Sequence, residues 1–583
     1  MTVPETAAAA VGRALAAGGV RTAFGVVGSG NFHVTNALVG HGVRFVAARH
    51  EGGAATMADG YARMSGEVGV VTVHQGPGLT NAMTGIAEAA KSRTPMIVLA
   101  GEATDARSNF HVDQDALAAA VGAVPMRLTD AARAEEQALE AFRVASRERR
   151  TVLLNLPLDV QSAPSRPLGP APAVTGAAGP VRSAARDTTA QSGLATARDT
   201  TAGSGLAAAD DATAESDRAA PDDATAELRR LLAGARRPVF VAGRGARHAR
   251  RELEALADRT GALLATSAVA KGLFRGSPWD LDVSGGFATP LAAELIRGAD
   301  LIVGWGCALN MWTTRHGTLI APEAEVVQVD LDPAAVGAHV RADLGVVGEV
   351  RAVAAALTGP GGAAPGYRSA ELARRIRDEG RWRAVPYRDE SGAGRIDPRT
   401  LTIALDDLLP SERVVSVDSG NFMGYPSMFL DVPDAGGFCF TQAFQSVGLG
   451  LATAIGAALA RPDRLPVAAL GDGGALMGIA ELETVVRLGL PMVVVVYDDE
   501  AYGAEVHHFG PHGHALGTVR FPPADLAAIA RGHGFAAVTV TDAAGLAGVA
   551  EWLKGPRDRP LLVHAKITGE RGSWWLEEAF KGH

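Results

Sequence analysis

Short apolar runs alternate with stretches of helical spacing along most of the chain. The runs at residues 68–73, 465–470 and 492–497 are nearly continuous and rich in β-branched residues. This pattern is typical of parallel strands that are covered on both faces. The stretches between such runs repeat their apolar residues with helical spacing. The alternation predicts an α/β protein built from doubly wound parallel sheets.

Two segments of different composition divide this pattern into three α/β domains. The first segment, at 166–228, is rich in Ala, Thr, Asp and Gly and repeats every 12 residues, with copies at 185–190, 197–202, 210–215 and 222–227. It has few large apolar residues, so burial cannot offset the entropy of ordering it, and we predict a mobile linker. The predicted organisation is a first domain at 1–165, the repeat linker at 166–228, a central domain at 229–360, a second linker at 361–395 and a third domain at 396–583.

Composition narrows the class of protein. The chain has 583 residues, of which 47% are hydrophobic, and this length suits about three domains of roughly 150 to 200 residues. A net charge of −9 without a basic cluster argues against a nucleic-acid partner. Cys307 and Cys439 are too few for a disulfide framework, and the N-terminus lacks the basic region of a signal peptide. Because no apolar run reaches the ~18 residues that span a bilayer, we predict a cytoplasmic enzyme without a membrane partner.

The clearest chemical motif follows the apolar run at 465–470. The turn Gly-Asp-Gly-Gly at 471–474 leads from a predicted strand into a predicted helix. Backbone N–H groups and the positive end of the helix dipole make such a turn suitable for a phosphate. The next apolar run ends in Asp498 and Asp499, so acidic side chains follow two strands. Mg²⁺ and Ca²⁺ prefer such oxygen ligands, and the motif therefore predicts a diphosphate and metal site.

A second motif lies in the first domain. Arg49 and His50 precede Glu51, which begins a helix of small residues. A carboxylate at a helix N-terminus is often only a partner of the dipole. The next predicted strand, at 68–73, ends in the turn His-Gln-Gly-Pro-Gly-Leu-Thr-Asn at 74–81.

Both motifs resemble the thiamine-diphosphate enzymes of the acetolactate synthase, benzoylformate decarboxylase and pyruvate oxidase superfamily. The resemblance rests on Gly-Asp-Gly, on Asp499 27 positions after Asp472, on the Tyr502-Gly503 pair, on Arg-His-Glu and on Gly-Pro-Gly-x-Thr-Asn. The superfamily usually has Asn as its second metal ligand and often another Asn before it. Here these positions hold Asp499 and Asp498. We therefore expect an extra negative charge beside the metal.

The resemblance implies a cofactor, a metal and a mechanism. It implies Mg²⁺ bound by Asp472, Asp499 and the main-chain carbonyl of Ala501. It implies that Glu51 shares a proton with the aminopyrimidine ring of thiamine diphosphate, and that a 2-oxo acid then loses CO₂ to give an aldehyde or a product joined to a second aldehyde or ketone. The implied cofactor contacts are Glu51, Gly76, Asn81, Asp418, Gln445, Val447, Gly471, Asp472, Gly473, Gly474, Ala475, Asp499, Tyr502 and Gly503.

Quaternary structure and flavin content also follow from the resemblance. The superfamily places its activating Glu and its metal site on opposite partners of a dimer interface, so we expect a homodimer or homotetramer. Its central domain binds FAD in some members and is only a scaffold in others. The Gly243-Arg244-Gly245 turn is a weak nucleotide signal, because His248 stands where a dinucleotide fingerprint has its third glycine. We expect a scaffold.

The residues that would select the substrate resemble those of two different enzymes. Ser29 and His74 stand where benzoylformate decarboxylase has an active-site Ser and His, although His74 could simply cap a strand. Gln114 stands where acetolactate synthase has a pocket Gln. His508 replaces that synthase's substrate-selecting Trp, which argues against a true acetolactate synthase. Glu505, His507 and His508 would make this wall of the substrate pocket polar, where the decarboxylase has apolar and aromatic groups, and we expect a polar or charged substrate.

Two other hypotheses stay open at this point. One is a flavin-dependent 2-oxo acid oxidase, which a bound yellow cofactor would support. The other is a non-catalytic homologue, which the presence of both Glu51 and Asp472 makes less attractive.

Overall fold

The strands of the protein form three six-stranded sheets. The computed structural model describes residues 5–165, 222–359, 364 and 366–579. In each sheet every pair of neighbouring strands is parallel. The predicted α/β fold with three doubly wound domains is confirmed.

The first domain contains the Arg-His-Glu motif. Its elements are α1 (Ala7–Ala17), β1 (Thr22–Gly25), α2 (Phe32–Gly40), β2 (Arg44–Ala47), α3 (Glu51–Ser65), β3 (Gly69–Val73), α4 (Pro77–Lys91), β4 (Met96–Glu102), α5 (Gln114–Ala120), β5 (Val124–Arg127), α6 (Ala134–Arg147), β6 (Thr151–Pro157) and α7 (Leu158–Ser162). The strand order is β2-β1-β3-β4-β6-β5. Glu51 and the turn after β3 therefore lie at the carboxyl ends of strands, where α/β proteins bind ligands.

The central domain repeats this architecture. Its elements are α8 (Asp222–Gly234), β7 (Pro238–Ala242), α9 (Arg250–Thr260), β8 (Leu263–Thr266), β9 (Asp280–Val283), α10 (Pro290–Arg297), β10 (Leu301–Trp305), α11 (Met311–Thr314), β11 (Glu325–Asp330), β12 (Leu344–Val347), α12 (Val350–Leu357) and α13 (Ala370–Glu379). The strand order is β12-β11-β10-β7-β8-β9.

The third domain contains the Gly-Asp-Gly motif. Its elements are α14 (Pro398–Leu408), β13 (Arg413–Val417), α15 (Gly424–Phe429), β14 (Phe438–Phe440), α16 (Gly450–Ala460), β15 (Leu465–Gly471), α17 (Asp472–Met477), α18 (Glu481–Arg487), β16 (Val493–Asp498), α19 (Gly503–Phe509), α20 (Leu526–Gly532), β17 (Ala536–Val540), α21 (Ala547–Lys554), β18 (Leu561–Lys566) and α22 (Trp574–Ala579). The strand order is β14-β13-β15-β16-β18-β17.

Both predicted linkers contain a helix of the central domain. Helix α8 occupies 222–234, which includes the last repeat copy, and its Leu228 and Leu232 are buried in the central core. Helix α13 lies in the predicted second linker and packs Leu372 and Ile376 on that domain. Apolar residues at helical spacing give both helices a face to bury. The other three repeat copies lie outside the described residues.

The first and third domains share one hydrophobic core, which positions the candidate site. Helix α3 packs closely on α16 through glycines. A Cβ atom on Gly456 would lie 2.1 Å from the carbonyl oxygen of Met57, and one on Gly60 would lie 2.8 Å from that of Thr453. The helix that begins at Glu51 is thus fixed directly on the domain with the metal motif.

Among the described residues, no helix is both long enough and apolar enough to cross a membrane.

Candidate cofactor and active site

Glu51 is held at the first turn of α3 beside the Gly-Pro-Gly turn. His50 caps the helix, because its Nδ1 accepts a hydrogen bond from the N–H of Gly52 at 3.0 Å. Asn81 of α4 donates its Nδ2 to Glu51 Oε2 at 3.1 Å. Gly78 of the turn lies next to this carboxylate, since a Cβ atom placed there would be in van der Waals contact, at 3.6 Å, with Glu51 Oε1. The two predicted motifs of the first domain meet at this carboxylate.

His74 and Ser29 lie near Glu51, on the other side of Gly78. The Ser29 hydroxyl is 3.2 Å from His74 Nε2, and His74 Nδ1 is 2.9 Å from the carbonyl oxygen of Gln75. Since a carbonyl oxygen can only accept, Nδ1 carries the proton and Nε2 can accept from Ser29. The Cβ of His74 would lie 3.0 Å from a Cβ placed on Gly78, the residue that also faces Glu51. His74 therefore does more than cap a strand, since its ring is also hydrogen-bonded to the Ser29 hydroxyl.

Gln114 does not join this group. Its Nε2 donates to Asn155 Oδ1 at 2.6 Å inside the domain, and Asn155 in turn donates to Asp115 at 2.6 Å. Gln114 is only 1% exposed. We do not retain it as a pocket residue, because its side chain stabilises the packing of α5 on β6.

Asp472 and Asp499 form the acidic pair at the carboxyl ends of β15 and β16. Burial, followed by the charges of Asp499 and Asp498, raises the pKa of Asp472 to about 8. Burial also raises the pKa of Asp499 to about 6. Two desolvated carboxylates repel each other, and a divalent cation between them would reverse this cost. The chemistry of these donors fits a hard metal ion.

The glycines of this motif are needed because the side chains of other site residues lie too close to leave room for a Cβ atom. A Cβ atom on Gly474 would lie 2.2 Å from Asp418 Oδ2, and one on Gly473 would lie 2.7 Å from the Tyr502 ring. A Cβ atom on Gly503 would lie 2.4 Å from Asp499 Oδ2. Side chains at 473 and 474 would fill the space that a diphosphate needs, so the turn also fits that group.

Asp418 stabilises a neighbouring turn by hydrogen bonds to the backbone of that turn. Its buried carboxylate accepts the backbone N–H groups of Gly448 at 3.0 Å and Leu449 at 3.2 Å, and burial raises its pKa to about 6. These bonds fix the turn in which Gln445 has a φ of 60°. Val447, in the same turn, is 38% exposed and faces Gly474. Val447 is thus not a core residue but a side chain presented at the site.

The expected extra charge of Asp498 is largely compensated. Its Oδ2 lies 2.6 Å from His564 Nε2 and 2.7 Å from Lys566 Nζ, both on β18. Burial alone would raise the pKa of Asp498, but these hydrogen bonds bring it below its ordinary value. Lys566 also binds Glu500, whose φ of 59° is in the left-handed region. The network therefore fixes the loop that contains Asp499.

We expect Lys566→Met to destabilise this network. Removing one partner of a largely buried ion pair leaves Asp498 undercompensated and should lower the free energy of unfolding by about 3 kcal/mol. Denaturant unfolding of the purified protein measures the change. Lys554→Met, at the exposed end of α21, is the control. Adding Asp498→Asn to Lys566→Met should recover part of the loss, and wild-type stability of Lys566→Met would contradict the assignment.

Comparison with known proteins identifies the family. Models for thiamine pyrophosphate enzymes match the three domains in order: the N-terminal TPP binding domain at 5–121, the central domain at 225–357 and the C-terminal TPP binding domain at 418–565. The probable 2-ketoarginine decarboxylase AruI of Pseudomonas aeruginosa is 30% identical over 520 residues, which cover 85% of this chain and 83% of that protein. This chain belongs to the thiamine pyrophosphate enzyme family.

Other relatives of this thiamine pyrophosphate enzyme are named for different activities. A probable acetolactate synthase large subunit of Methanocaldococcus jannaschii is 27% identical over 530 residues, covering 85% of this chain and 80% of the relative. A sulfoacetaldehyde acetyltransferase of Castellaniella defragrans is 27% identical over 526 residues, covering 84% and 80%. The protein is therefore an enzyme of the lyase or transferase type that depends on thiamine pyrophosphate, the compound also called thiamine diphosphate.

Two residues of this thiamine pyrophosphate enzyme were not predicted. Glu481 Oε1 accepts the backbone N–H groups of Arg49 at 3.0 Å and His50 at 3.1 Å, and so holds the residues before Glu51. Asn421 bonds to the Asp499 carboxylate and accepts the N–H of Ser573 at 3.0 Å. Neither residue has a local signal, because each one acts on a segment distant in sequence.

Helix α19 contains the polar residues that the sequence analysis expects in one wall of the substrate pocket. It contains Glu505, His507 and His508, and the His508 ring lies 4.6 Å from that of Phe509. Burial and the charge of Arg520 lower the pKa of His507. Across the described part of the chain, no group of three or more His, Cys, Asp or Glu side chains is arranged to hold a metal. A metal at Asp472 and Asp499 would thus need the Ala501 carbonyl and the diphosphate as further ligands.

Proposed function

We propose that this enzyme uses thiamine diphosphate and Mg²⁺ to decarboxylate a polar 2-oxo acid, followed by protonation of the product or its addition to a second carbonyl compound. The observation that carries the proposal is the Glu51 carboxylate, which Asn81 bonds through one oxygen only, beside the Ser29–His74 pair. The acidic pair Asp472 and Asp499 supports the metal half of the proposal.

Each residue has a distinct task in this proposal. Asp472, Asp499 and the Ala501 carbonyl would hold Mg²⁺, and the glycines at 473 and 474 leave room for the diphosphate. The cofactor supplies an electron sink for the carbonyl carbon when it is bound. Asn81 fixes Glu51 Oε2, which leaves Oε1 to exchange a proton with the cofactor's ring. His74 Nε2 can accept the proton of the Ser29 Oγ–H, so this pair can hold the hydroxyl in place or take up a proton from a bound substrate.

The proposed site is completed by a second copy of the chain. Apolar side chains near the third-domain half are unusually exposed: Met477 is 57% and Phe444 is 44% exposed. Near the first-domain half, Phe110 is 43% exposed. Apolar patches of this kind mark interaction surfaces, and a two-fold dimer buries the same patch on both copies. We propose a homodimer in which the Glu51 half of one copy faces the Asp472 half of the other.

A panel of 2-oxo acids tests the proposed function. Purified protein with thiamine diphosphate and Mg²⁺ is incubated with apolar, acidic and basic 2-oxo acids, each alone and with an acceptor aldehyde. We expect CO₂ release to be fastest with an acid that has a polar or charged side chain. The same protein stripped with EDTA is the control. No CO₂ from any acid, together with no rise in melting temperature on addition of cofactor and metal, would contradict the proposal, and a bound flavin would favour the oxidase instead.

A further inference from the structure

The loop between β14 and α16 contains two of the expected cofactor contacts, Gln445 and Val447. Residues 441–448 form neither a helix nor a strand, and Gln445 has a φ of 60°, in the left-handed region. Phe444, Gln445 and Val447 are exposed. Because the loop lacks the regular hydrogen bonds of a helix or strand, its shape depends on the side chains that bond to its backbone.

A buried carboxylate of the first domain fixes the start of this loop. Glu88 is on α4 and is fully buried. Its Oε1 accepts the backbone N–H of Ala443 at 3.0 Å, and its Oε2 accepts that of Phe444 at 2.6 Å. Lys91, at the end of the same helix, places its Nζ 5.5 Å from the centre of the Phe444 ring. Helix α4 therefore contacts the loop through both backbone and side chain.

Arg63 of α3 binds the Glu88 carboxylate from the other side. Its Nη2 lies 2.7 Å from Glu88 Oε1, and its Nη1 donates to the carbonyl oxygen of Phe440, the last residue of β14, at 2.9 Å. The pair thus bonds to a carbonyl oxygen before the loop and to two N–H groups within it. Desolvation offsets much of the attraction in a buried ion pair, so stability alone does not explain this arrangement.

Two carboxylates from different domains hold the two ends of the loop. Glu88 bonds to residues 443 and 444, and Asp418 bonds to residues 448 and 449. Only residues 445–447 lie between these fixed points. Asp418 belongs to the same domain as the loop, whereas Glu88 belongs to the first domain. Glu88 therefore sets the position of the loop relative to the first domain.

We propose that Glu88 is a positioning residue for thiamine diphosphate, which places residues 445–447 where they meet the rings of the cofactor. The inference rests on the proposed function, because it takes Gln445 and Val447 as contacts of the cofactor. Since the Glu88 side chain is fully buried, it acts through the loop and not by contact with the cofactor. Supporting residues of this kind hold a site in its productive geometry.

Calorimetric titration of full-length Glu88→Gln with two ligands tests the proposal. Inorganic pyrophosphate with Mg²⁺ fills only the metal and diphosphate end of the proposed site, whereas thiamine diphosphate with Mg²⁺ also needs the loop. We expect Glu88→Gln to weaken thiamine diphosphate binding at least about tenfold, the effect of losing one hydrogen bond to a charged group, and to leave pyrophosphate binding unchanged. Equal weakening of both ligands, or unchanged binding of thiamine diphosphate, would overturn the proposal.

Ser92→Ala is the matched control. The Ser92 Oγ donates to Glu88 Oε1 at 3.2 Å from the end of the same helix, and not from the loop. Both variants should lower the melting temperature, because each disturbs the same buried network. Only Glu88→Gln should change the ratio of the two affinities. A change of this ratio in Ser92→Ala as large as that in Glu88→Gln would show that network stability, and not loop position, matters.

Hydrogen exchange of the wild-type protein adds a measurement that does not depend on the folding of a variant. Ala443 and Phe444 are exposed, yet their N–H groups bond to a buried carboxylate. We expect both amides to exchange at least about 100-fold more slowly than in an unfolded peptide. Unprotected exchange at both positions would overturn the proposal. Failure of the wild-type protein to bind thiamine diphosphate would overturn the proposed function as well, whereas failure to release CO₂ would leave these binding measurements valid.

Discussion

Replacement of Glu51 by Gln is expected to lower the turnover of the preferred 2-oxo acid by about 10²- to 10⁴-fold, the usual contribution of a general acid–base group. Gln has nearly the same shape and can still bond to Asn81, whose Nδ2 lies 3.1 Å from the Glu51 carboxylate. It cannot, however, exchange a proton at the second oxygen. Release of CO₂ at saturating cofactor measures the effect.

Glu140→Gln provides the control for this substitution. Glu140 is on α6 and forms a surface ion pair with Arg143 at 2.7 Å. Such pairs contribute only about 0–1 kcal/mol, so turnover should not change. If Glu51→Gln has wild-type turnover while it still binds the cofactor, the proposed proton transfer is wrong.

The second large effect is expected for Asp472→Asn, which should lower the affinity for thiamine diphosphate in the presence of Mg²⁺ more than about 100-fold, since even indirect partners of metal ligands contribute about 10- to 100-fold. Asn supplies an oxygen but no charge. Protein without cofactor should keep or gain thermal stability, because burial and the charges of Asp499 and Asp498 disfavour the Asp472 carboxylate. Fluorescence titration with cofactor and the melting temperature of stripped protein measure the two effects.

Weaker cofactor binding together with an unchanged or higher melting temperature of the stripped protein distinguishes loss of a metal ligand from general damage to the fold. Asp463→Asn is the control, since Asp463 is in a surface ion pair with Arg461 before β15. Unaltered metal-dependent cofactor binding by Asp472→Asn would exclude Asp472 as a ligand.

Local sequence was sufficient to predict the fold and the positions of Glu51 and Asp472 after the carboxyl ends of strands. β-branched runs such as 492–497 indicated parallel strands because both faces of these strands are buried. Glu51 and Asp472 follow predicted strands directly, so strand ends alone place them at ligand-binding edges. The helices at 222–234 and 370–379 were missed because each has only a few large apolar residues within a polar segment.

The remaining parts of the site depend on contacts that local spacing does not encode. Gln114 faces Asn155, 41 residues away, and not the pocket. Asp498 finds its hydrogen-bonding partners, His564 and Lys566, on another strand. Glu481 binds residues more than 430 positions earlier in the chain. Such pairings become visible only when the domains are assembled.

The contact of α18 with the residues that precede α3 limits how this protein can be recombined with its relatives. Besides Glu481, Glu483 binds Arg49 at 2.6 Å, and Arg487 donates to the carbonyl oxygen of Ala47. A chimera that takes its first domain from one parent and its third from another would separate these co-adapted partners. Glu51 would then lose its alignment even though every catalytic residue is retained. Functional hybrids should therefore inherit the 47–50 and 481–487 segments from the same parent.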